Sequence, residues 1–281
     1  MIHRWRPGAW LRVTGPDAFA FLQGQLTNDL KLLTAQPAVY GLWLNQKGRV
    51  LGDSFVVAGA TAGEFWVGSY FCPAAELRER LENYIIADDV TVADETSEWS
   101  GVTLVGETLM GEIRASRRGL FFPGRRGVGA HLEWLARTPQ EIPGDPAVLT
   151  PEQMERSRIE AAIPAIPFDI GPGELPYEGG LEVDAISFTK GCYLGQEIVA
   201  RLKSMGQVRR RLLPVVGVGP RPACPAKLYQ GGRQVGELRS TAAADDGVAG
   251  LALLTLLHLD RSQPLSLAPG AQPSFRLAVA P

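Results

Sequence analysis

The chain has 281 residues, of which 45% are hydrophobic and 21% charged, so it can bury the substantial core of an ordinary globular protein. Its formal net charge of -2 excludes a protein whose whole surface binds nucleic acid or an anionic membrane by charge alone. The three cysteines, Cys72, Cys192 and Cys224, form no C-x-x-C pair, which excludes a disulfide framework and a self-contained zinc or iron-sulfur site.

Two segments bear on location. Residues 1–10 hold arginine, histidine and tryptophan without an apolar run, so we expect no secretory signal there. The longest nearly apolar stretch, residues 248–259, is too short to span a bilayer. We therefore predict a cytoplasmic protein with reduced thiols and no membrane partner.

Strands alternate with helices in the first half of the chain. Asp17 is positioned to cap a first helix, Pro73 to begin a second, and residues 45–48 to turn a hairpin. A further helix is predicted at 130–137. The predicted strands are 9–13, 39–44, 49–57, 64–69, 90–92, 102–105, 112–115 and 120–122. This mixture is typical of an α+β fold.

The second half begins with a proline-rich stretch, 138–151, which is interpreted as a linker. Thr150 and Gln153 have the spacing of a capping box, so a helix is predicted from 151 to 162. After residue 207 the pattern predicts only strands, at 211–218, 226–229, 234–239, 247–257 and 274–279. These strands predict a small β-barrel.

The familiar catalytic motifs are missing. The sequence has no G-x-S-x-G, H-E-x-x-H or Walker pattern, and its three histidines lie in separate parts of the chain. The basic, glycine-rich segment 124–129 has the wrong order for a phosphate-binding loop and is interpreted as a plain turn. A hydrolase of the Ser-His or Cys-His type is therefore excluded.

The segment 185–201 carries the candidate chemistry. Gly191 and Gly195 flank the tripeptide Cys-Tyr-Leu, and a short helix is predicted at 196–202. Cys192 thus lies just before a helix N-terminus, which favours a thiolate, and Lys190 adds positive charge.

From these residues alone, two interpretations stay open. Cys192 is either a reactive thiol or an inert packed side chain. Glu197 either has a function, or caps the helix or pairs with Arg201 one turn later.

Three sequence segments favour one of these two interpretations, because together they resemble the YgfZ family. Residues 190–197, KGCYLGQE, resemble the family signature K-G-C-Y-[TL]-G-Q-E. Residues 21–29, FLQGQLTND, resemble its N-terminal phrase F-L-Q-G-Q-x-T-x-D, and residues 158–164 resemble R-I-E-A-G-x-P. The resemblance favours a functional Cys192.

The resemblance implies a fold as well. Members are similar to the aminomethyltransferase of the glycine cleavage system, a three-domain ring around a central channel with a C-terminal β-barrel. We expect a folate-binding domain at 1–45 plus 148–206, an inserted ferredoxin-like α+β domain at 46–147, and a β-barrel at 207–281.

The family also implies binding of tetrahydrofolate or a related folate. Glu160 is expected against the pterin, because a carboxylate accepts two parallel hydrogen bonds from the 2-amino pyrimidinone edge. Trp43 or Tyr193 is a candidate to stack on the pterin ring, with core packing favoured for Trp43. The resemblance places further folate-binding residues at Asp29, Tyr193, Gln196, Glu197 and Arg201. The anionic tail of folate would suit the basic run of Arg201, Lys203, Arg209, Arg210 and Arg211, which is otherwise a solvated face.

Two positions depart from the relatives. The catalytic loop of aminomethyltransferases resembles G-x-x-D-D, and here Gly52 stands at the first acidic position, leaving only Asp53. This departure counts against aminomethyl transfer. Ala162 replaces the glycine of R-I-E-A-G and is expected to lie within a helix.

The first hypothesis is an accessory protein that binds tetrahydrofolate and supports assembly or repair of iron-sulfur clusters, including those of tRNA-modifying enzymes. Cys192, Lys190 and Asp53 are its candidate catalytic residues. One thiolate cannot hold a cluster, so a partner or a small thiol must supply other ligands. Folate and iron-sulfur client enzymes are the expected partners, with tRNA involved indirectly. The alternatives are a folate-dependent aminomethyltransferase or other one-carbon transferase, and a tRNA-binding module using residues 209–211.

Overall fold

The computed structural model describes residues 1–138 and 141–278, and at Ser116 and Met205 the backbone alone. The strands are β1 Ile2–Trp5, β2 Ala9–Thr14, β3 Val39–Leu44, β4 Val50–Ala58, β5 Glu64–Ser69, β6 Thr91–Asp94, β7 Ser100–Val105, β8 Leu120–Pro123, β9 His131–Ala136, β10 Arg210–Gly217, β11 Ala226–Gln230, β12 Arg233–Ala244, β13 Gly247–Thr255 and β14 Phe275–Leu277. The α-helices are α1 Ala18–Gln25, α2 Ala74–Glu82, α3 Glu107–Ser116, α4 Pro151–Glu160 and α5 Gln196–Met205. Within the described ranges, no helix has the length and apolarity needed to cross a membrane.

The first sheet is antiparallel, with strand order β3-β4-β5-β2-β6. Its β3–β4 hairpin confirms the predicted turn: the Asn45 side chain accepts hydrogen bonds from the amides of Lys47 (2.9 Å) and Arg49 (3.0 Å). Helices α1 and α2 cover one face, where Leu22 and Leu77 join a buried cluster with Trp43. Asp17 precedes α1 as predicted, but its carboxylate accepts from the amide of Asp89 rather than from the helix.

The second sheet has strand order β1-β7-β9-β8, and aromatic side chains lie between it and the first sheet. Trp10 of the first sheet lies 5.7 Å from Trp99, and Phe55 lies 4.9 Å from Phe122, measured between ring centroids. Such aromatic pairs add favourable contact energy to the burial of their surface.

Two predicted elements of this region were wrong. Residues 112–115, predicted as a strand, belong to helix α3, where the apolar side chains of Leu109, Met110 and Ile113 share one face. Residues 130–137, predicted as a helix, form strand β9. Strand β9 lies between β7 and β8 and is buried throughout, including the polar His131 and Glu133. It therefore need not show the strict alternation of a half-exposed strand, and the adjacent Trp134 and Leu135 break that alternation.

Helix α4 begins with the predicted capping box. The Gln153 amide donates to the Thr150 hydroxyl (3.2 Å), and the Thr150 amide donates to the Gln153 side chain (2.8 Å). The helix ends at Glu160. Ala162 therefore lies outside it, with φ +53°, a left-handed conformation that favours glycine. The expectation that Ala162 lies within a helix was wrong.

The C-terminal strands form an antiparallel sheet of order β11-β12-β13-β10-β14 that curls into the predicted β-barrel. Isolated bridges Tyr229–Ser266 and Leu265–Phe275 tie its loops to its strands. The predicted last strand extends to Val279, which lies outside the described residues, as does Pro139 of the predicted linker.

A central buried cluster connects the first sheet and the C-terminal sheet with the 185–201 segment. It includes Leu42 of β3, Ile159 of α4, Tyr193 and Leu251 of β13. The predicted boundary between residues 45 and 46 falls in the turn that joins the paired strands β3 and β4. The division into domains stays a prediction.

Candidate functional site

Cys192 is an exposed free thiol in the loop that precedes α5. Gly195, the residue before the helix, has φ +82°, and a Cβ there would lie 2.6 Å from the carbonyl oxygen of Asn45. Only glycine fits this close approach to the β3–β4 turn. A Cβ on Gly191 would meet no atom within 4 Å, so that glycine is not required sterically.

Lys190 anchors this loop to the segment after α1. Its ammonium donates to three backbone carbonyls, those of Gln23 (2.6 Å), Leu26 (2.6 Å) and Asn28 (3.0 Å). Burial lowers the pKa of Lys190 to about 8, and the charge of Asp29 partly offsets this effect. The three N–H groups of the ammonium match three acceptors, so the side chain holds the loop in place.

Tyr193 follows the cysteine and points into the core. Its side chain belongs to the central buried cluster, and its ring centroid lies 5.2 Å from the Lys190 ammonium. Burial raises the pKa of Tyr193 to about 12, with a further contribution from Tyr177. Trp43 is also fully buried and donates its indole N–H to Ser54 (2.8 Å), as expected of a core residue.

The other predicted folate ligands lie on two elements. Asp29 accepts from the Lys31 amide (3.0 Å) and from the Gln23 side chain (2.8 Å). Burial opposes ionisation of Asp29, but these hydrogen bonds outweigh it and lower the pKa. Gln196, Glu197 and Arg201 lie on α5, where Glu197 and Arg201 are exposed.

Asp53 lies in a separate, buried polar cluster. Its carboxylate accepts hydrogen bonds from the hydroxyls of Tyr40 (2.9 Å) and Ser69 (2.6 Å) and contacts the Cys72 thiol at 3.4 Å. Burial raises the pKa of Asp53, and the hydrogen bonds oppose the rise. Burial also raises the pKa of Cys72, and the Asp53 charge adds to this effect.

Glu160, the residue expected against the pterin, is engaged in an ion pair. It is exposed at the end of α4 and pairs with Arg156 (2.7 Å), which also holds Asp245 of the β12–β13 turn. Its role against a pterin stays a prediction, and this ion pair would have to open first.

Two of the five side chains in the basic run form ion pairs. Arg210 pairs with Glu178 (2.8 Å) and Arg211 with Glu182 (3.0 Å). Arg201, Lys203 and Arg209 are exposed.

Sequence reasoning missed a cavity of about 350 Å³ between β1, the β5–α2 connection and α4. We call it the arginine cavity; its walls include Trp5, Arg6, Tyr70, Phe71, Arg126 and Arg158. The Glu155 carboxylate also lines the cavity and pairs with Arg158. The remaining guanidinium groups and the three aromatic rings are an arrangement that suits a flat ligand carrying anionic groups.

Arg126 is the cation of this cavity whose hydrogen-bonding capacity is not fully used. It is only 9% exposed, and its guanidinium lies over the rings of Trp5 (4.5 Å) and Tyr70 (3.8 Å). Its Nε lies 3.4 Å from the Glu133 carboxylate and forms an ion pair with it, but makes no hydrogen bond to any described residue. Arg158, in contrast, is bound by Asp169 at 2.7 Å. Arg126 is therefore the side chain best able to take an added anion.

Arg126 belongs to segment 124–129, which was interpreted as a plain turn. The two adjacent arginines, Arg125 and Arg126, were the sequence feature that could have indicated this site, and both make specific contacts. Arg125 lies 4.2 Å from the Tyr40 ring and pairs with Asp184 (2.9 Å). Within residues 1–138 and 141–278, no group of three or more His, Cys, Asp or Glu side chains is placed to hold a metal ion.

The whole fold is similar to that of a solved structure, the glycine cleavage system aminomethyltransferase T from Bartonella henselae. The TM-score is 0.78 at 16% identity, over 99% of this chain and 85% of that one. The model of the GCVT N-terminal domain matches residues 9–108, and that of the CAF17 C-terminal beta-barrel domain matches residues 209–277. The chain is thus an aminomethyltransferase-like protein with a CAF17-type barrel.

Curated relatives define the family more narrowly. The iron-sulfur cluster assembly factor IBA57, mitochondrial, of Mus musculus is 33% identical over 88% of this chain and 75% of its own length. Its Homo sapiens counterpart is 31% identical over 96% of this chain and 81% of its length. The tRNA-modifying protein YgfZ of Klebsiella pneumoniae is 25% identical over 84% and 79%. The chain belongs to the family of the IBA57 and YgfZ proteins.

Proposed function

We propose that this protein is a tetrahydrofolate-binding accessory factor that supports assembly or repair of iron-sulfur clusters, including those of tRNA-modifying enzymes. The names of its relatives support the iron-sulfur role and the connection with tRNA. The observation that carries the proposal is an exposed thiol, Cys192, on a loop that Lys190 fixes through three hydrogen bonds.

The chemistry assigned to Cys192 is that of a redox-active or transiently ligating thiol. A fixed, accessible sulfur can meet a cluster or a client cysteine without prior unfolding of the loop. A cluster needs several ligands, so the client protein or a small thiol supplies the others. Lys190 acts as a positioning residue in this account.

The role of the Cys192 thiol can be tested by complementation of cells from which the gene for their own family member has been deleted. We expect wild-type protein to restore the activity of a [4Fe-4S] enzyme, such as one that modifies tRNA, and Cys192→Ser to restore less than about a tenth of it. Cys224→Ser is the matched control, because Cys224 is also an exposed free thiol, and it should restore full activity. Full activity with Cys192→Ser would remove the thiol from the mechanism.

The arginine cavity supports the folate part of the proposal. A folate combines a flat heterocycle with a carboxylate-bearing tail, and the cavity offers aromatic walls beside the incompletely paired Arg126. When bound, a reduced folate would supply a carrier for one-carbon units. Ser69 connects the cavity with the Asp53 cluster, since its hydroxyl donates to Asp53 (2.6 Å) and accepts from the amide of Phe71 (3.3 Å), which lines the cavity.

Titration with tetrahydrofolate distinguishes two placements. If folate occupies the arginine cavity, Arg126→Gln should weaken binding at least about tenfold through loss of a charge-assisted contact, while Glu160→Ala binds as wild type. If the pterin contacts Glu160, the outcome is reversed. Equal affinity in all three proteins would contradict both placements.

The two alternative functions find less support. Gly52 leaves no side chain at the first acidic position of the aminomethyltransferase pattern, and two of the three adjacent arginines of the tRNA-binding alternative are already paired with carboxylates. We propose a cytoplasmic location, and note that the IBA57 relatives are named mitochondrial.

A further inference from the structure

The carboxylates at the arginine cavity already accept hydrogen bonds from the protein itself. Glu133, which lies behind the wall, is fully buried and accepts from the Trp5 indole (2.9 Å) and the Tyr70 hydroxyl (2.7 Å). Glu155 is the carboxylate among the lining residues, and it accepts from the Arg158 guanidinium (2.9 Å). The 2-amino pyrimidinone edge of a pterin needs a free carboxylate for its two parallel hydrogen bonds. Among its described residues, the cavity offers a pterin no such group.

The donors at the cavity, in contrast, are still available. Arg126 lines the cavity, and its terminal nitrogens, Nη1 and Nη2, donate to no described residue. Only its Nε is buried without a hydrogen bond, so the terminal nitrogens keep accessible surface. The buried Glu133 offsets part of the charge of Arg126 but does not line the cavity. Arg6 also lines the cavity, is exposed and pairs with no described carboxylate. Two guanidinium groups are thus open to carboxylates of a ligand.

The apolar part of the wall suits a single small aromatic ring. Arg126 already lies over one face of the Trp5 ring (4.5 Å) and of the Tyr70 ring (3.8 Å). Phe71, which is half-buried, and Met154 are the apolar lining residues with no guanidinium this close. Phenyl and thioether groups both make favourable contacts with an aromatic ring.

We propose that the arginine cavity binds the p-aminobenzoylglutamate part of a folate, with the pterin outside it. The benzoyl ring lies against Phe71 and Met154, and the two carboxylates of the glutamate bind Arg126 and Arg6. This inference rests on the proposed function and deepens it, since it names the part of the folate that the cavity recognises. The pterin is the part that is oxidised or reduced, so the contacts in the cavity are the same for folate and tetrahydrofolate.

Fragments of the ligand separate the two ends of a folate. The probes are p-aminobenzoyl-L-glutamate, p-aminobenzoylglycine, which has one carboxylate fewer, and tetrahydrobiopterin, which has none. Binding is followed through the backbone amide resonances of Phe71 and Glu155 in isotope-labelled protein. We expect a saturable shift with p-aminobenzoyl-L-glutamate, at least about tenfold weaker binding of p-aminobenzoylglycine, and no shift at these residues with tetrahydrobiopterin.

Three variants assign the carboxylates. Arg126→Gln should weaken the binding of both acids at least about tenfold. Arg6→Gln should weaken only p-aminobenzoyl-L-glutamate, and so bring its affinity to that of p-aminobenzoylglycine. Arg233→Gln, at an exposed arginine of β12, is the control and should change neither affinity.

The outcomes distinguish this inference from the proposed function. If tetrahydrofolate binding depends on Arg126 but p-aminobenzoyl-L-glutamate does not bind, the inference is wrong and the folate placement stands. If neither compound binds, both are wrong. An equally strong response to tetrahydrobiopterin, equal affinities of the two acids for the wild type, or unchanged binding by folded Arg126→Gln protein would each overturn the inference as well.

Discussion

Cys192 and Cys72 are both free thiols, yet the fold treats them in opposite ways. Cys192 is exposed on a loop that Lys190 holds in place through hydrogen bonds of its ammonium group. Cys72 is 3% exposed, and its sulfur lies 3.4 Å from both the Asp53 carboxylate and the Ile166 carbonyl. The comparison shows that a loop can hold a thiol in a fixed position and still leave it accessible to solvent. Burial beside a carboxylate, in contrast, lowers the reactivity of a thiol.

The largest expected difference between the two thiols is in reactivity. With limiting iodoacetamide at pH 7.5, we expect Cys192 to be alkylated on the order of a thousandfold faster than Cys72, because Cys72 is buried and its pKa is raised. Peptide mass spectrometry over a time course measures both rates in one sample. Comparable rates in the folded protein would abolish the distinction.

The second largest expected effect comes from removing the Lys190 ammonium, which anchors the Cys192 loop. Lys190→Met leaves one buried and two part-buried carbonyls without their donor, so we expect a loss of about 2–4 kcal/mol in the free energy of unfolding. Urea denaturation measures this loss, and hydrogen exchange should quicken at residues 190–195. Lys227→Met, at an exposed lysine of β11, serves as the control and should change stability by less than about 0.5 kcal/mol.

Removal of each sulfur sharpens the comparison further. Cys72→Ala should lower the free energy of unfolding by about 1–2 kcal/mol, because it empties part of the core and removes a contact of Asp53. Cys192→Ala should leave stability within about 0.5 kcal/mol of the wild type. Equal losses in the two variants would mean that the Cys192 sulfur also packs structurally.

The smallest effect is a change in pH dependence. Burial raises the pKa of Asp53, so the folded protein holds this proton more tightly than the unfolded chain does. The stability that Asp53 contributes is therefore present at low pH and is lost as pH rises through its folded pKa. Unfolding free energies of wild type minus Asp53→Asn should decrease with pH across the acidic range. A flat or increasing difference would contradict the raised pKa.

The sequence predicted those parts of the fold that short-range chemistry determines. The Asn45–Gly48 turn and the Thr150–Gln153 capping box each depend on residues within five positions of one another. Both are present, and the capping box has the two hydrogen bonds that its spacing predicts. Strand β9 was misread, because a strand that is buried on both sides need not alternate strictly, and its apolar residues Leu132, Trp134 and Leu135 do not.

The candidate site was harder to predict, since its parts meet through distant contacts. Lys190 reaches carbonyls more than 160 positions away, and Arg126 meets the rings of Trp5 and Tyr70 from other elements. Neither contact leaves a local pattern. The family signature nevertheless drew attention to Cys192, because it lies in one contiguous phrase.

The most direct test of the account blocks one sulfur in the finished protein. Cys224→Ser protein, which lacks the other exposed thiol, is alkylated until Cys192 but not the buried Cys72 is modified. It is then added to extracts of cells that lack the family member, with [4Fe-4S] enzyme activity measured over time. We predict that untreated protein raises this activity, while the Cys192-modified protein leaves it at the level of extract alone. Equal recovery with both preparations would contradict a role for the exposed thiol.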